Sequence, residues 1–300
     1  MRALLSGLPI RHLGRQVGHR RDRRLAARHR GRSVTRVLLA GCGKMGGAML
    51  DGWLDRGLAA EDVCVIEPSE AGRAALAGRV AAVLASAEDV PATFIPDVVV
   101  LAVKPQVMEQ ALPPLARHRD AVFLSIAAGK TIGWFEARLG AGRAIVRSMP
   151  NTPAAVRRGI TVAVANSHVA AAGRESCAAL LEAVGEVAWV EDEALMDAVT
   201  AVSGSGPAYV FLLVECLAAA GAKAGLPADL AMRLARATVS GSGELMRRSI
   251  EPAETLRRNV TSPGGTTAAA LAVLMSDTGL APLLDEAIAA ATRRSKELAG

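Results

Sequence analysis

Histidine is scarce where chemistry would need it. Outside an Arg-rich opening stretch only His118 and His168 remain, and both read as helical surface positions. A His-based triad, a zinc site or a His general acid therefore has almost no candidates. Cysteine is as sparse: Cys42, Cys64, Cys177 and Cys216 lie far apart, with no C-x-x-C pair and no metal-ligand spacing. No metal site is expected, and reduced thiols in a cytoplasmic protein fit best. Long hydrophobic runs are missing too. The best, Ala208 to Gly221, is short and carries Glu215, so no membrane span is expected. Ala3 to Leu8 is too short for a secretory core and lacks a cleavage pattern after it. Ser205 lies between glycines but lacks the outer glycines of G-x-S-x-G and a His partner, so it reads as a turn residue and not a nucleophile.

Acidic charge is nearly absent from the opening stretch, and this distorts the net charge. The chain carries +6. Residues 1–33 hold ten Arg and one Asp, a contribution of +9, which leaves 6 − 9 = −3 for residues 34–300. The body is mildly acidic, so the basic balance does not point to nucleic acid for the folded part. Residues 1–33 have no sustained hydrophobic period and are expected to be disordered. A mis-called translation start with the real one near Val34, an Arg-rich targeting segment and a nucleic-acid tail compete as readings, the first being favoured.

What is present begins at Val34. Val34 to Ala40 reads as a buried parallel strand, followed by Gly41-Cys42-Gly43-Lys44-Met45-Gly46 and a helix to about Gly57. This is G-x-G-x-x-G between strand and helix, the context that gives it meaning. Gly41 makes the tight turn, Gly43 lets the backbone reach a pyrophosphate, and Gly46 lets helix and strand pack. A second strand, Val63 to Ile66, ends in Glu67, 21 residues beyond Gly46, where a carboxylate can hydrogen-bond the ribose hydroxyls of an adenosine. Strand and helix patterns then alternate: strands near Arg79 to Leu84, Asp97 to Ala102, Ala121 to Ser125, Ala144 to Met149, Ile160 to Ala165 and Glu186 to Val190. The fold class is α/β, an N-terminal Rossmann-type doubly wound, mainly parallel sheet. The loops Ala102-Val103-Lys104-Pro105 and Ser125 to Gly129 fall at the carboxyl ends of strands, where such sheets bind ligands. Lys104 reads equally as a cofactor contact or a solvated cation.

From Glu193 onward only helical patterns remain, so a boundary near Asp192 divides residues 34–192 from an all-α 193–300. Ser203-Gly204-Ser205-Gly206-Pro207 is expected to break one helix from the next, with Pro207 in a first helical turn. The run after it is apolar nearly all round, which suits a core or a subunit interface. Asn259 to Thr267 reads as a turn entering a helix: Pro263 fixes one φ, while Gly264 and Gly265 permit close backbone approach. The unpaired N–H groups of such a helix start make an anion site. The plainer alternative is a Ser-Pro helix entry capped by Ser262.

Four stretches together resemble pyrroline-5-carboxylate reductase, over residues 34 to 298: Ala201 to Tyr209 (AVSGSGPAY), Asn259 to Thr267 (NVTSPGGTT), Ala102 to Pro105 (AVKP) and Met149 to Pro153 (MPNTP). The resemblance implies a Rossmann domain, and a helical C-terminal domain that intertwines with a partner subunit. It implies dimers, a decameric ring of five dimers in some members, and reduction of the cyclic imine 1-pyrroline-5-carboxylate to L-proline with NADPH or NADH. Carried over residue by residue, Ala40, Gly41, Cys42, Gly43, Lys44 and Met45 face the cofactor pyrophosphate. Ala102, Val103, Lys104, Pro105, Ile126 and Ala128 line the nicotinamide half, and Asn259 reaches the cofactor. Glu193, Thr266 and Thr267 match substrate positions. The N–H groups around Gly264, Gly265, Thr266 and Thr267 then hold the substrate carboxylate, with the Thr267 hydroxyl on the ring nitrogen as positioner and proton relay. Back-bonding within the first helical turn is the plain alternative for Thr267.

Two departures from the family pattern concern the cofactor. Many members carry a small polar residue where Glu67 aligns, which suits the 2′-phosphate of NADPH; Glu67 would repel that phosphate and favours NADH, although Ser69 and Arg73 could offset it. Ala87 stands where some members have Asn. The Arg-rich tail has no counterpart in the family. A related imine or 2-hydroxyacid reductase would keep the cofactor turn, but Ser262 to Thr267 speaks against it; a non-catalytic NAD(P) sensor would have little use for Thr267 and Glu193 together.

Overall fold

A computed structural model describes residues 35–299; the expectations for residues 1–33 lie outside it. Eight strands form one sheet: β1 Val37–Ala40, β2 Val63–Ile66, β3 Ala82–Leu84, β4 Val98–Leu101, β5 Val122–Ser125, β6 Ile145–Met149, β7 Gly159–Ala165 and β8 Gly185–Trp189. Their order is β3-β2-β1-β4-β5-β6-β7-β8. Every neighbouring pair is parallel except β6 with β7. The first six strands make the doubly wound arrangement expected from the sequence, and the antiparallel turn to β7 lets two more strands extend the edge.

Strands β1, β2 and β4 are apolar at every position because both sheet faces are covered. On one face Leu38, Val99 and Phe123 pack with Met108 and Leu112 of α3 (Met108–Leu115) and Phe135 of α4 (Ile132–Leu139). On the other, Val37, Leu39 and Val100 pack with Met49, Leu50 and Trp53 of α1 (Lys44–Asp55) and Leu180 and Leu181 of α5 (Ala171–Glu182). Trp53 closes this layer by donating its indole N–H to Leu180 O at 2.8 Å. The register matters for function. Ala40 is level with both Ile66 and Leu101, and Leu101 with Ser125, so the loops after β1, β2, β4 and β5 emerge on one rim. Between β2 and β3 runs α2 (Glu70–Leu76).

After β8 the chain is helical: α6 Met196–Val199, α7 Gly206–Lys223, α8 Ala228–Arg248, α9 Ala253–Asn259, α10 Thr266–Leu274 and α11 Leu280–Ala299. Helices α7 and α8 pack on each other, and α11 returns against α6, where Ser295 donates to Asp197 Oδ1 at 2.6 Å.

Three expectations need correction here. Ser203 to Pro207 does not break the helix: a π turn, Thr200–Gly204, carries the helical path through, with Ser205 N donating to Thr200 O at 2.9 Å. Such a turn accommodates one extra residue ahead of Pro207, which has no N–H to donate. Gly204 is used for packing, since a Cβ there would come 2.4 Å from the Met149 methyl. As a result Glu193–Lys223 forms one helical run long and apolar enough, by length and composition, to cross a membrane, where the sequence suggested no such run. Finally, His118 and His168 lie in loops and not on helices.

Candidate active site

The Gly-rich turn at the β1 end is shaped by contact. Gly41 has φ +90°, and a Cβ on it would lie 3.0 Å from both Ala102 O and Val103 Cγ1. At Gly46 a Cβ would come within 2.4 Å of Gly41 O, so only glycine lets α1 sit this close to the turn. Gly43 differs: nothing lies within 4 Å of where its Cβ would be. Its lack of a side chain leaves an open cradle at the start of α1. No side chain caps that helix and its first turn has no acid. Free N–H groups, the helix field and an open cradle suit a pyrophosphate, so the residues fit a dinucleotide. Gly43→Ala should leave the melting temperature unchanged and weaken dinucleotide binding about 10-fold or more, because the new methyl fills ligand space and not protein space. Nicotinamide fluorescence titration beside thermal melting checks this.

Glu67 follows β2 and reaches back over the turn. Its Oε2 accepts from Cys42 N at 3.2 Å and its Oε1 from Ser69 N at 3.0 Å. Burial, with the Glu67 charge adding to it, pushes the Cys42 thiol up to about 11. The thiol is therefore neutral at physiological pH and adds no negative charge beside the cradle. Lys44, Lys104 and Ala128 are exposed, while Met45, Pro105 and Ile126 are half-buried. Among the described residues Lys104 has no ion pair, so its charge is available to a ligand.

A second cluster joins the sheet to the helices. Arg147 of β6 is buried and donates from Nη1 to Glu193 Oε1 at 2.8 Å. The same oxygen accepts from Ile132 N, the first residue of α4, at 2.8 Å. One oxygen of the substrate candidate Glu193 is thus spent on tying β6, α4 and the start of the helical region together. Asn151 does similar work: its Nδ2 donates to Ser203 Oγ at 3.3 Å and its Oδ1 accepts from Ile160 N at 3.0 Å. The MPNTP and SGSGP stretches therefore touch. Gly129, in the loop after β5, backs onto α11, and a Cβ there would lie 3.2 Å from Leu298 O. Arg147 was missed by sequence reasoning, though an arginine inside the apolar strand IVRSM has to find a partner.

The third group stands apart. Ser262-Pro263-Gly264-Gly265 closes a turn in which Gly265 N donates to Ser262 O at 3.0 Å and Gly264 takes φ +69°. Pro followed by a positive-φ glycine is a type II turn. It leads into α10, whose N-cap is Gly265 with no side-chain cap, so the alternative of a Ser262 cap is overturned. The turn leaves Ser262 three residues ahead of the N-cap position. Among the described residues the Thr267 hydroxyl has no hydrogen-bond partner, whereas Thr200 and Thr261 back-bond to carbonyls at 2.8 and 2.7 Å. Neither α9, which ends at Asn259, nor α10 makes substantial contact with the sheet elements. Within one chain, then, the rim carrying Gly41 to Gly46 and the Thr267 turn are not brought together.

Comparison with known proteins gives a consistent result. Residues 193–298 match the family described as pyrroline-5-carboxylate reductase dimerisation, and residues 36–129 that described as NADP oxidoreductase coenzyme F420-dependent. The pyrroline-5-carboxylate reductase of Pseudomonas aeruginosa is 44% identical over 273 residues, covering 89% of this chain and 98% of the relative. That of Mycobacterium tuberculosis is 40% identical over 292 residues, 88% of this chain and 97% of its own. Among solved structures, a pyrroline-5-carboxylate reductase from Coxiella burnetii superposes with a TM-score of 0.84 at 33% identity, over 89% of this chain and all of its own. The Plasmodium falciparum pyrroline carboxylate reductase with NADP bound does so with a TM-score of 0.75 at 30% identity, over 89% and 98%.

Proposed function

The chain belongs to the pyrroline-5-carboxylate reductase family, and from that premise we infer which of its residues carry the reduction of 1-pyrroline-5-carboxylate to L-proline, the final step of proline biosynthesis. Residues 34–192 are the dinucleotide-binding domain and residues 193–300 the substrate and dimerisation domain. A reduced nicotinamide supplies the hydride when bound. The Gly43 cradle and the first turn of α1 hold the pyrophosphate, with Lys44 and Lys104 giving positive charge on the same rim. The loops after β4 and β5, through Val103, Pro105, Ile126 and Ala128, line the reacting end. Glu67 at the adenosine end favours NADH over NADPH.

The observation that carries the substrate assignment is the uncapped start of α10 beside the unengaged Thr267 hydroxyl. The Gly265 N–H is held by Ser262 O in the turn, so the N–H groups of Thr266 and Thr267 at the start of α10 take the imine carboxylate, and the Thr267 hydroxyl accepts from the protonated ring nitrogen. Hydride adds to carbon more readily when that nitrogen is protonated, so the residue works by orienting the ring and stabilising its charge. No strong side-chain acid is needed.

A homodimer completes the site. Phe211 is 62% exposed and Leu212 56% exposed on α7 in the single chain, and α10 has no buried residue. A second copy that covers these faces can also bring its α10 turn to the rim of the first, which the single chain does not do. Assembly of dimers into a decamer is the corresponding higher state. Such a protein works in the cytoplasm on a small-molecule substrate, and nothing in the site calls for nucleic acid or a membrane. The test is absorbance loss of NADH and NADPH on adding 1-pyrroline-5-carboxylate, with sedimentation on the same sample. Rapid oxidation by a dimer or larger species is expected. Cofactor binding without oxidation would overturn the reductase reading and favour a sensor.

A further inference from the structure

We propose that the adenosine end of this site is built for NADH, and that Gly72, which belongs to no cofactor motif, is the positioning residue that makes it so by holding room for Glu67. The inference rests on the reading of Gly41 to Gly46 as a dinucleotide site.

Three side chains stand beyond β2 where a 2′-phosphate would lie, and each is held by the backbone around it. The Glu67 carboxylate is pinned between Cys42 N and Ser69 N, and its own N–H is tied to Leu84 O at 2.8 Å. The negative charge therefore has a fixed place between the Gly-rich turn and the start of α2. Ser69, the small polar candidate, is the N-cap of α2 and accepts from Gly72 N at 3.3 Å. Arg73, the nearby cation, turns its guanidinium onto the backbone: Nη1 donates to Glu67 O at 3.1 Å and to Pro68 O at 2.6 Å. Both side chains are thus turned onto the neighbouring backbone, Ser69 as a cap and Arg73 through Nη1. A carboxylate in this place accepts from ribose hydroxyls and repels a phosphate.

Gly72 keeps it there. A Cβ on Gly72 would lie 2.7 Å from Glu67 Cγ, 3.0 Å from Cδ and 3.2 Å from Oε1. The first of these is closer than real Cβ atoms come, and the obstacle is the middle of the side chain, so Glu67 would have to leave its pose. The glycine is not needed for backbone reasons, because Gly72 lies inside α2 and is not among the positive-φ glycines. In such a place alanine ordinarily favours the helix. What glycine contributes at position 72 is space.

The experiment titrates NADH and NADPH into the full chain by nicotinamide fluorescence, with thermal melting and steady-state kinetics alongside. The parent is expected to bind NADH about 100-fold more tightly than NADPH, the size of a close charge repulsion in a partly exposed cleft. Gly72→Ala should weaken NADH about 10-fold and raise its KM with kcat nearly unchanged, without lowering the melting temperature. Glu67→Ser should bring the two cofactors within about 5-fold of each other, and Glu67→Gln, closer in shape, serves if the serine variant folds poorly. The decisive readout is coupling: in the Glu67→Ser background Gly72→Ala should have no further effect. An equal Gly72→Ala effect in both backgrounds, or a parent that binds NADPH as well as NADH, overturns the proposal. Binding that prefers NADH without imine turnover would support the proposal and sink the reductase reading. Imine turnover that prefers NADPH would do the reverse.

Discussion

Thr267→Val is expected to lower kcat/KM for the imine about 100-fold, most of it in kcat, the usual effect of removing one hydrogen bond to a charge in a transition state. Valine keeps the shape and loses the hydroxyl. Because that hydroxyl has no partner among the described residues, its removal breaks nothing in the protein itself. The change in stability should stay within about 0.5 kcal/mol. Thr267→Ser, which keeps the oxygen, should remain within about 5-fold of the parent and so separate the hydroxyl from the methyl. Steady-state kinetics with saturating cofactor and a melt on each variant decide the matter. If Thr267→Val turns over within a few-fold of the parent, the ring nitrogen does not sit at this hydroxyl.

The second large effect concerns stability. Glu193→Ala should cost about 3 kcal/mol, near the lower bound for breaking a buried ion pair, because water reaches the Glu193 side. Arg147 has 5% of its side chain exposed and Glu193 has 29%. Removing the carboxylate strands the arginine charge inside β6 and leaves Ile132 N without its acceptor. Removing both charges is a milder change: Arg147→Met with Glu193→Gln keeps an acceptor for Ile132 N and should recover to within about 1 kcal/mol of the parent. Denaturant unfolding at fixed protein concentration measures both, since an oligomer's stability depends on concentration. A Glu193→Ala protein as stable as the parent would show that the pair is not the tie between sheet and helices that its geometry indicates.

The short-range features of this protein were legible in its residues. The apolar strands VLLA, VCVI and VVVL declare themselves because a parallel sheet covered on both faces needs unbroken apolar runs. Gly41 and Gly46 declare the turn because Gly41 takes φ +90° and Gly46 packs on Gly41 O, both within a few residues of chain. The helices Ala228–Arg248 and Ala253–Asn259 each follow a proline and carry paired arginines in the last turn. Pro and charge mark those ends locally.

What the residues alone left open depends on partners brought from elsewhere in the chain. Glycine, serine and proline at 203–207 look like a helix break because local propensity has no term for a π turn packed against Met149. Ser69 and Arg73 looked free to receive a phosphate until the fold gave one a helix to cap and the other two carbonyls to hold. The Arg147–Glu193 pair spans 46 residues, beyond the reach of any periodicity. A local pattern is set by neighbours along the chain and can be read there. Whether a polar group is spent inside the protein or left for a ligand is set by neighbours in space, and only the tertiary structure supplies those.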